Sequence, residues 1–227
     1  MASKWRIVLG VLLLGAACGS PSNQTNQEKA DPISATAPVT PNHDTKNILF
    51  FGNSLTAGYG LEDQQHAFPG IIQHWIDSLD LPYRVINGGL SGETTAAGKE
   101  RIDWLLREKV DVFVLELGAN DGLRGIPTEE TDSNLQTIID KVKEKYPDCK
   151  MVLTGMMVPP SMGGEYGEAF TAIFPALAEE NDMAFVPFLL ADVAGEADLN
   201  QQDGIHPTEA GHQIVAKHVW EVLAPLL

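Results

Sequence analysis

The sequence predicts a three-layer α/β fold, in which a five-stranded parallel sheet is covered by helices on both faces. Short apolar runs alternate along the chain with longer segments whose apolar residues recur at the helical spacing of three and four. The connections between these segments are short, and strands that are joined through helices pair in parallel with right-handed crossovers. In such a sheet the ligand site lies beyond the carboxyl ends of the strands.

The strands are predicted at the short apolar runs, as expected where both faces of a strand are buried. In chain order they cover residues 48–51, 83–86, 112–117, 151–154 and 185–186. The third run is the most apolar. The helices are predicted where apolar residues follow the helical period, over residues 68–79, 96–108, 135–142, 169–177 and 208–223.

Composition excludes several classes of protein. The 227 residues are 44% hydrophobic, which is enough for a sizeable core. Lys and Arg number 15 against 31 Asp and Glu, giving a net charge of −16, so we expect no nucleic-acid partner. Two cysteines exclude a disulfide scaffold and a four-thiolate zinc site. No apolar stretch reaches the roughly 18 residues that a membrane-spanning helix needs.

Residues 1–17 are predicted to be a lipoprotein signal peptide. Lys4 and Arg6 precede an apolar run that ends in small residues before Cys18, which is typical of an export signal. The pattern resembles a lipobox, although Leu14 lies four places before Cys18 rather than three. We therefore expect lipidation of Cys18, a membrane contact through that lipid, and a cell-envelope location facing the periplasm or the bacterial surface. A buried N-terminal helix is the alternative, but nothing periodic follows the run.

Residues 18–45 are predicted to be a flexible tether, because proline and small polar residues dominate the segment. The folded domain is then predicted over residues 46–227, a usual size for one domain. With Cys18 consumed by lipid, Cys149 is left unpaired and no intramolecular disulfide is expected.

Ser54 follows the first predicted strand in the segment Gly52-Asn53-Ser54-Leu55-Thr56. Gly52 permits a tight exit from the strand, and Ser54 would stand at the carboxyl edge of the sheet near a helix N-terminus. The alternative is that Ser54 only caps that helix.

Asp203 and His206 lie just before the last predicted helix. An Asp three residues before a His can hold the imidazole through one nitrogen, which leaves the other free to take a proton from Ser54. The alternatives are a solvated histidine, an Asp that caps the helix, or a metal site formed by His206, His212 and His218. No second cluster of acids or histidines completes a metal site, so none is predicted.

Two further segments follow strands. Asn120, within residues 118–122, has a side chain that can donate to a developing oxyanion, although Asn-Asp-Gly is also suited to an ordinary turn. Gly92, within residues 89–94, lacks a side chain, so its N–H can approach the same oxyanion. The alternative for that segment is a loop that leads into a helix.

Taken together, these segments resemble the four blocks of the SGNH (GDSL) hydrolase family, and they do so over residues 46–227. The blocks are Gly52-Asn53-Ser54-Leu55, Gly92 in Leu-Ser-Gly-Glu-Thr, Gly118-Ala119-Asn120-Asp121 and Asp203-Gly204-Ile205-His206-Pro207. The longer strings are similar to the bacterial branch of arylesterases, lysophospholipases and acyl-CoA thioesterases. The resemblance implies a flavodoxin-like fold and a serine esterase acting through an acyl-enzyme, without a metal or organic cofactor.

The resemblance also implies roles for individual residues. Ser54 would be the nucleophile, His206 the base and Asp203 the orienting acid. The backbone N–H groups of Ser54 and Gly92, with the Asn120 side chain, would form the oxyanion hole. The family usually has Asp where this sequence has Asn53, but because Asp203 is the acid of the triad we expect catalysis to survive.

The expected substrates are short- to medium-chain carboxylic esters, among them aryl esters and lysophospholipids, with thioesters as a further class. Export argues against acyl-CoA, which belongs to the cytosol. The loop over residues 156–166 either lines an acyl groove or is an ordinary surface loop. A deacetylase of acetylated polysaccharide and a non-catalytic surface-binding lipoprotein are the alternative functions. We expect the hydrolase domain to be a monomer.

Overall fold

The computed structural model describes residues 45–227. The predicted signal peptide, Cys18 and all but the last residue of the predicted tether lie outside the described residues. None of the helices formed by residues 45–227 has the length and the apolar character that a membrane-spanning segment requires.

The sheet has five strands in the spatial order β2-β1-β3-β4-β5, and every neighbouring pair is parallel. Their bounds are β1 Lys46–Gly52, β2 Tyr83–Gly89, β3 Val112–Glu116, β4 Lys150–Thr154 and β5 Ala184–Val186. All residues of β3 are buried, as its apolar run predicts. The predicted fold class is confirmed.

Seven α-helices are found in the described part of the chain, and five of them match the predicted ones. Their bounds are α1 Ser54–Ala57, α2 Phe68–Ser78, α3 Thr95–Leu105, α4 Ala119–Leu123, α5 Thr128–Lys145, α6 Gly164–Glu180 and α7 Glu209–Leu223. The short helix α4 was not predicted, because Asn-Asp-Gly favours a turn by composition. It begins after Gly118, whose φ of +115° a side chain would strain.

The helices cover both faces of the sheet. Successive residues of a strand point to opposite faces. Phe50 of β1 packs edge-on against Phe68 of α2, with ring centroids 5.6 Å apart. Its neighbour Phe51 lies under the guanidinium of Arg101 of α3, at 4.5 Å. The helix α7 packs against α2, whereas α5 packs against α3 and α6.

The register brings three strand ends to one level. Gly52, the last residue of β1, pairs with Gly89 of β2 on one side and with Glu116 of β3 on the other. The loops after these three strands therefore leave the sheet side by side. The opposite end of β1, at Lys46, is where the domain joins the preceding chain.

Candidate active site

Ser54, His206 and Asp203 lie in direct contact at the carboxyl edge of the sheet. The Ser54 Oγ is 2.8 Å from His206 Nε2, and His206 Nδ1 is 2.7 Å from Asp203 Oδ2. Residues 152 positions apart in the sequence thus form one chain of hydrogen bonds. A hydroxyl, an imidazole and a carboxylate in this order allow the imidazole to accept the hydroxyl proton.

The carboxylate of Asp203 is fixed by its own loop. Its Oδ1 accepts hydrogen bonds from the backbone N–H groups of Ile205, at 2.9 Å, and His206, at 3.0 Å. The side-chain hydrogen bond from His206, supported by these two backbone N–H groups, lowers the pKa of the Asp203 carboxyl to about 2. Asp203 is therefore ionised at neutral pH and favours the tautomer in which Nδ1 of His206 carries the proton.

Gln201 ties the His206 loop to the Ser54 loop. Its Nε2 donates to the backbone oxygen of Tyr59 at 2.7 Å, and its N–H donates to the backbone oxygen of His206 at 2.7 Å. The Tyr59 ring lies over the imidazole of His206, with centroids 4.7 Å apart. Tyr59 ends the longer string that begins at Ser54 and resembles the bacterial branch of the family, but the sequence assigns it no role, and Gln201 lies outside the four blocks.

Asn53 shapes the turn that presents Ser54. Its Oδ1 accepts a hydrogen bond from the N–H of Leu55 at 3.0 Å and so caps the short helix α1. The Ser54 hydroxyl lies 3.3 Å from the same oxygen, which is farther than His206 Nε2. The N–H of Ser54 has no acceptor among residues 45–227 and is free to bind an oxyanion.

Gly92 and Asn120 lie on the two neighbouring loops. The backbone of Gly92 has a φ of +81°, and its N–H likewise finds no acceptor in the described part of the chain. Asn120, at the start of α4, donates from Nδ2 to the backbone oxygen of Glu93 at 3.1 Å. One N–H of this amide remains for a further acceptor. These three groups are the donors that the sequence predicts for an oxyanion hole.

Buried ionic and polar contacts anchor these two loops to α3. Asp121, which is fully buried, accepts from the N–H of Thr95 at 2.9 Å and from its hydroxyl at 2.5 Å, linking α4 to the start of α3. Burial raises the pKa of the Asp121 carboxyl. Glu93, itself 4% exposed, pairs with Arg101, whose Nε lies 2.6 Å from Glu93 Oε1. From the sequence, Asp121 is noted only as a member of the third block, and the pairing of Glu93 with Arg101 is not predicted.

Glu116 lies beneath the Ser54 loop, at the end of β3. It is fully buried, and burial raises the pKa of its carboxyl to about 7. A Cβ on Gly52 would stand 2.5 Å from Glu116 Oε2 and 2.1 Å from Thr56 Oγ1. Gly52 is therefore required because a side chain there would collide with Thr56 and with Glu116, which is consistent with the predicted tight exit from the strand. A single acid inside an otherwise apolar strand was the signal that could have found Glu116.

The other histidines and the cysteine that the sequence singled out lie outside the contact of Ser54, His206 and Asp203. His212 is buried on α7, where its Nδ1 accepts from the N–H of Phe68 at 3.2 Å, and burial lowers its pKa to about 4. His218 lies 3.4 Å from Asp192. Neither histidine joins His206 in a common site. Burial raises the pKa of the Cys149 thiol to about 12, which makes this cysteine a poor nucleophile.

The loop over residues 156–166 is only partly exposed in the structure. Met156 is buried in the core, whereas Met157 is 49% exposed. Its last three residues begin α6. Only part of the segment is therefore available to line an acyl groove.

Comparisons with known proteins identify a family and several relatives of this chain. A model of the GDSL-like lipase/acylhydrolase family matches residues 50–214. The esterase TesA of Pseudomonas aeruginosa is 37% identical over 183 residues, which are 80% of this chain and 90% of that protein. The thioesterase 1/protease 1/lysophospholipase L1 of Escherichia coli is 34% identical over 181 residues, which are 79% of this chain and 84% of the other.

A solved structure shares the fold. The psychrotrophic esterase EstA from Pseudoalteromonas sp., in a crystal structure inhibited by monoethylphosphonate, has a TM-score of 0.75 at 30% identity. The match covers 80% of this chain and 98% of that one. The family match spans most of the chain and includes the blocks around Ser54, Gly92, Asn120 and His206. The chain therefore belongs to the GDSL-like lipase/acylhydrolase family, as the four sequence blocks predict.

Proposed function

We propose that this protein hydrolyses carboxylic esters through an acyl-enzyme formed on Ser54. The observation that carries the proposal is the 2.8 Å contact between Ser54 Oγ and His206 Nε2, with His206 held by Asp203. The relatives are named as an esterase and as a thioesterase and lysophospholipase. These names favour ester hydrolysis over the deacetylase and the non-catalytic binding protein.

In the proposed mechanism, Ser54 Oγ attacks the ester carbonyl carbon while His206 Nε2 takes the hydroxyl proton. The N–H groups of Ser54 and Gly92 and the Asn120 amide then stabilise the oxyanion. As the tetrahedral intermediate collapses, the bond to the alcohol oxygen breaks, and His206 returns the proton to that oxygen. A water molecule repeats the sequence on the acyl-enzyme, which releases the carboxylic acid and restores Ser54.

The surroundings of the site favour substrates with apolar acyl chains. Seven large hydrophobic side chains are clearly exposed in the described part of the chain, and five of them lie on the segments after the strands or beside His206. These five are Tyr59, Leu90, Leu123, Met157 and Ile205. Aryl esters, lysophospholipids and thioesters present apolar groups that such side chains bind by excluding water. We include all three classes in the proposed range.

Covalent labelling with a fluorophosphonate tests the nucleophile. We expect the wild-type protein to gain one phosphonyl group by mass, and Ser54→Ala to gain none and to lose ester hydrolysis. Ser133→Ala, at a serine on α5 away from the site, is the matched control and should label as the wild type does. Labelling of Ser54→Ala at the wild-type rate would contradict the assignment. A panel of aryl esters, thioesters, lysophospholipids and acetylated sugars then ranks the substrates.

We also propose that the enzyme is exported and anchored to the cell envelope through lipid on Cys18. The support is the sequence alone: Lys4 and Arg6, the apolar run after them, and the position of Cys18. Envelope lysophospholipids and other extracytoplasmic esters suit such a location. The triad and the three oxyanion donors come from one copy of the chain, so we expect the domain to act as a monomer.

A further inference from the structure

The buried carboxyl of Glu116 has no place in the proposed mechanism, yet every one of its hydrogen-bond partners belongs to the Ser54 loop. Its Oε1 accepts from Asn53 Nδ2 at 2.8 Å. Its Oε2 accepts from the N–H of Asn53 at 3.1 Å and from the N–H and hydroxyl of Thr56 at 3.3 and 2.8 Å. Both partners are uncharged, and no ion pair of the described residues includes Glu116.

This contact fixes which way the Asn53 amide faces. Because Nδ2 donates to Glu116, Oδ1 must turn toward the opposite side, where it accepts from the N–H of Leu55 at 3.0 Å and lies 3.3 Å from Ser54 Oγ. Reversing the amide would bring NH₂ against the Leu55 N–H and an oxygen against the Glu116 carboxylate. The contact with the Leu55 N–H is repulsive whether or not Glu116 is ionised, and the contact with Glu116 is repulsive once that carboxyl is ionised, so the two neighbours together hold Asn53 in one orientation.

We propose that Glu116 is a positioning residue for Ser54, which acts by orienting the Asn53 amide and thereby the turn that directs the Ser54 hydroxyl at His206. The proposal rests on the proposed role of Ser54 as the nucleophile. Glu116 touches no reacting atom and acts only through Asn53 and Thr56. Four donors from this single turn converge on it, and the absence of a side chain at Gly52 leaves room for it. A buried polar network whose members are all hydrogen-bonded rigidifies the segment that it joins.

The roles of hydrogen-bond donor and acceptor can be exchanged between positions 53 and 116. In Glu116→Gln, the new amide oxygen can replace Oε2, but the new NH₂ group then faces the NH₂ group of Asn53. In Asn53→Asp, two carboxyl groups face each other and must share one proton. The double variant Asn53→Asp/Glu116→Gln restores a complementary pair, because the introduced amide donates to one oxygen of the introduced carboxylate. The other oxygen of that carboxylate still accepts from the N–H of Leu55.

Steady-state kinetics of these three variants, with melting temperatures, test the proposal. For Glu116→Gln we expect kcat to fall by about 10- to 100-fold, as for a nucleophile displaced by a fraction of an ångström, with KM within about twofold. The double variant should recover kcat to within about threefold of the wild type. Glu144→Gln, at an exposed acid on α5, is the control and should leave both constants unchanged. Wild-type kcat in Glu116→Gln, or no recovery in a folded double variant, would overturn the proposal.

The pH profile of Asn53→Asp provides an independent test, which also decides the case if Glu116→Gln does not fold. The shared proton is lost at alkaline pH, where the two facing carboxylates repel and the turn loses its orientation. We therefore expect kcat of Asn53→Asp to decline toward alkaline pH, and no such decline in the wild type or the double variant. Superimposable profiles for Asn53→Asp and the wild type would refute the positioning role.

Fluorophosphonate labelling separates this proposal from the one on which it rests. A wild-type protein that does not label would show that Ser54 is not the nucleophile. A wild type that labels at Ser54, together with wild-type kinetics in the Glu116 and Asn53 variants, would refute only the positioning role.

Discussion

Replacing Glu116 with Gln is expected to change how the stability of the domain depends on pH. Burial raises the pKa of this carboxyl from 4.5 to about 7, so between these values the folded protein binds a proton that the unfolded chain has released. Because the folded protein favours the protonated carboxyl, Glu116 contributes its full stabilisation below about pH 4.5. This stabilisation is lost as the pH rises through about 7. The glutamine of the variant does not titrate, so the free energy of unfolding of the variant lacks this dependence on pH.

The size of the effect follows from the shift. At roughly 1.4 kcal/mol per pKa unit, a rise from 4.5 to about 7 corresponds to about 3 kcal/mol over the whole window. Other groups add slopes of their own: burial lowers the pKa of His212 from 6.5 to about 4, which makes stability rise with pH in that range. Both proteins retain His212, so its slope cancels in the difference between them.

Urea unfolding at a series of pH values measures this difference. Between about pH 5 and about pH 8, the free energy of unfolding of the wild type should fall by about 2–3 kcal/mol relative to Glu116→Gln. Any constant loss of stability caused by the substitution shifts the curve without changing its slope. Glu144→Gln removes an exposed carboxyl and should run parallel to the wild type. Parallel curves for the wild type and Glu116→Gln would refute the account of Glu116 as a buried group with a raised pKa.

Three further substitutions test the oxyanion hole, the orientation of His206 and the membrane anchor. Asn120→Ala should lower kcat by roughly 10²–10³ with little change in KM, the typical effect of removing one oxyanion donor, and a change confined to KM would contradict that role. Asp203→Asn should lower kcat by about 10³–10⁴, because its amide favours the wrong tautomer of His206, and a loss under about tenfold would argue against Asp203 as the orienting acid. Cys18→Ser should move the protein from the membrane fraction to the soluble fraction on ultracentrifugation, and unchanged pelleting would exclude Cys18 as the anchor.

The sequence predicts the sheet well, because strands buried on both faces leave apolar runs that are hard to mistake. The run at residues 112–117 becomes β3, and the one at residues 48–51 lies within β1. Asp203 and His206 are also predictable, since a separation of three residues on one loop already permits their contact. The contact of Ser54 with His206 is different, because it depends on how the whole sheet is assembled.

The missed residues depend on strand register. Glu116 is one acid in an apolar strand, and only the pairing of Gly52 with Glu116 shows that it lies under the Ser54 loop. Arg101 reaches Glu93 from a helix that has little amphipathic pattern in its sequence. Nothing in the spacing of these residues predicts the contacts. They form only when β1, β3 and the helix α3 are set side by side.

The position of Lys46 bears on how the enzyme can be attached to a surface. The seven residues of β1, roughly 20 Å of strand, separate this end of the domain from the turn that carries Ser54. A fusion partner, affinity tag or solid support joined through the N-terminal side of the domain would lie at the edge away from the catalytic groups. An immobilised preparation coupled there would present its triad outward to substrate in solution, whereas coupling through Gln201 or Tyr59 would obstruct it.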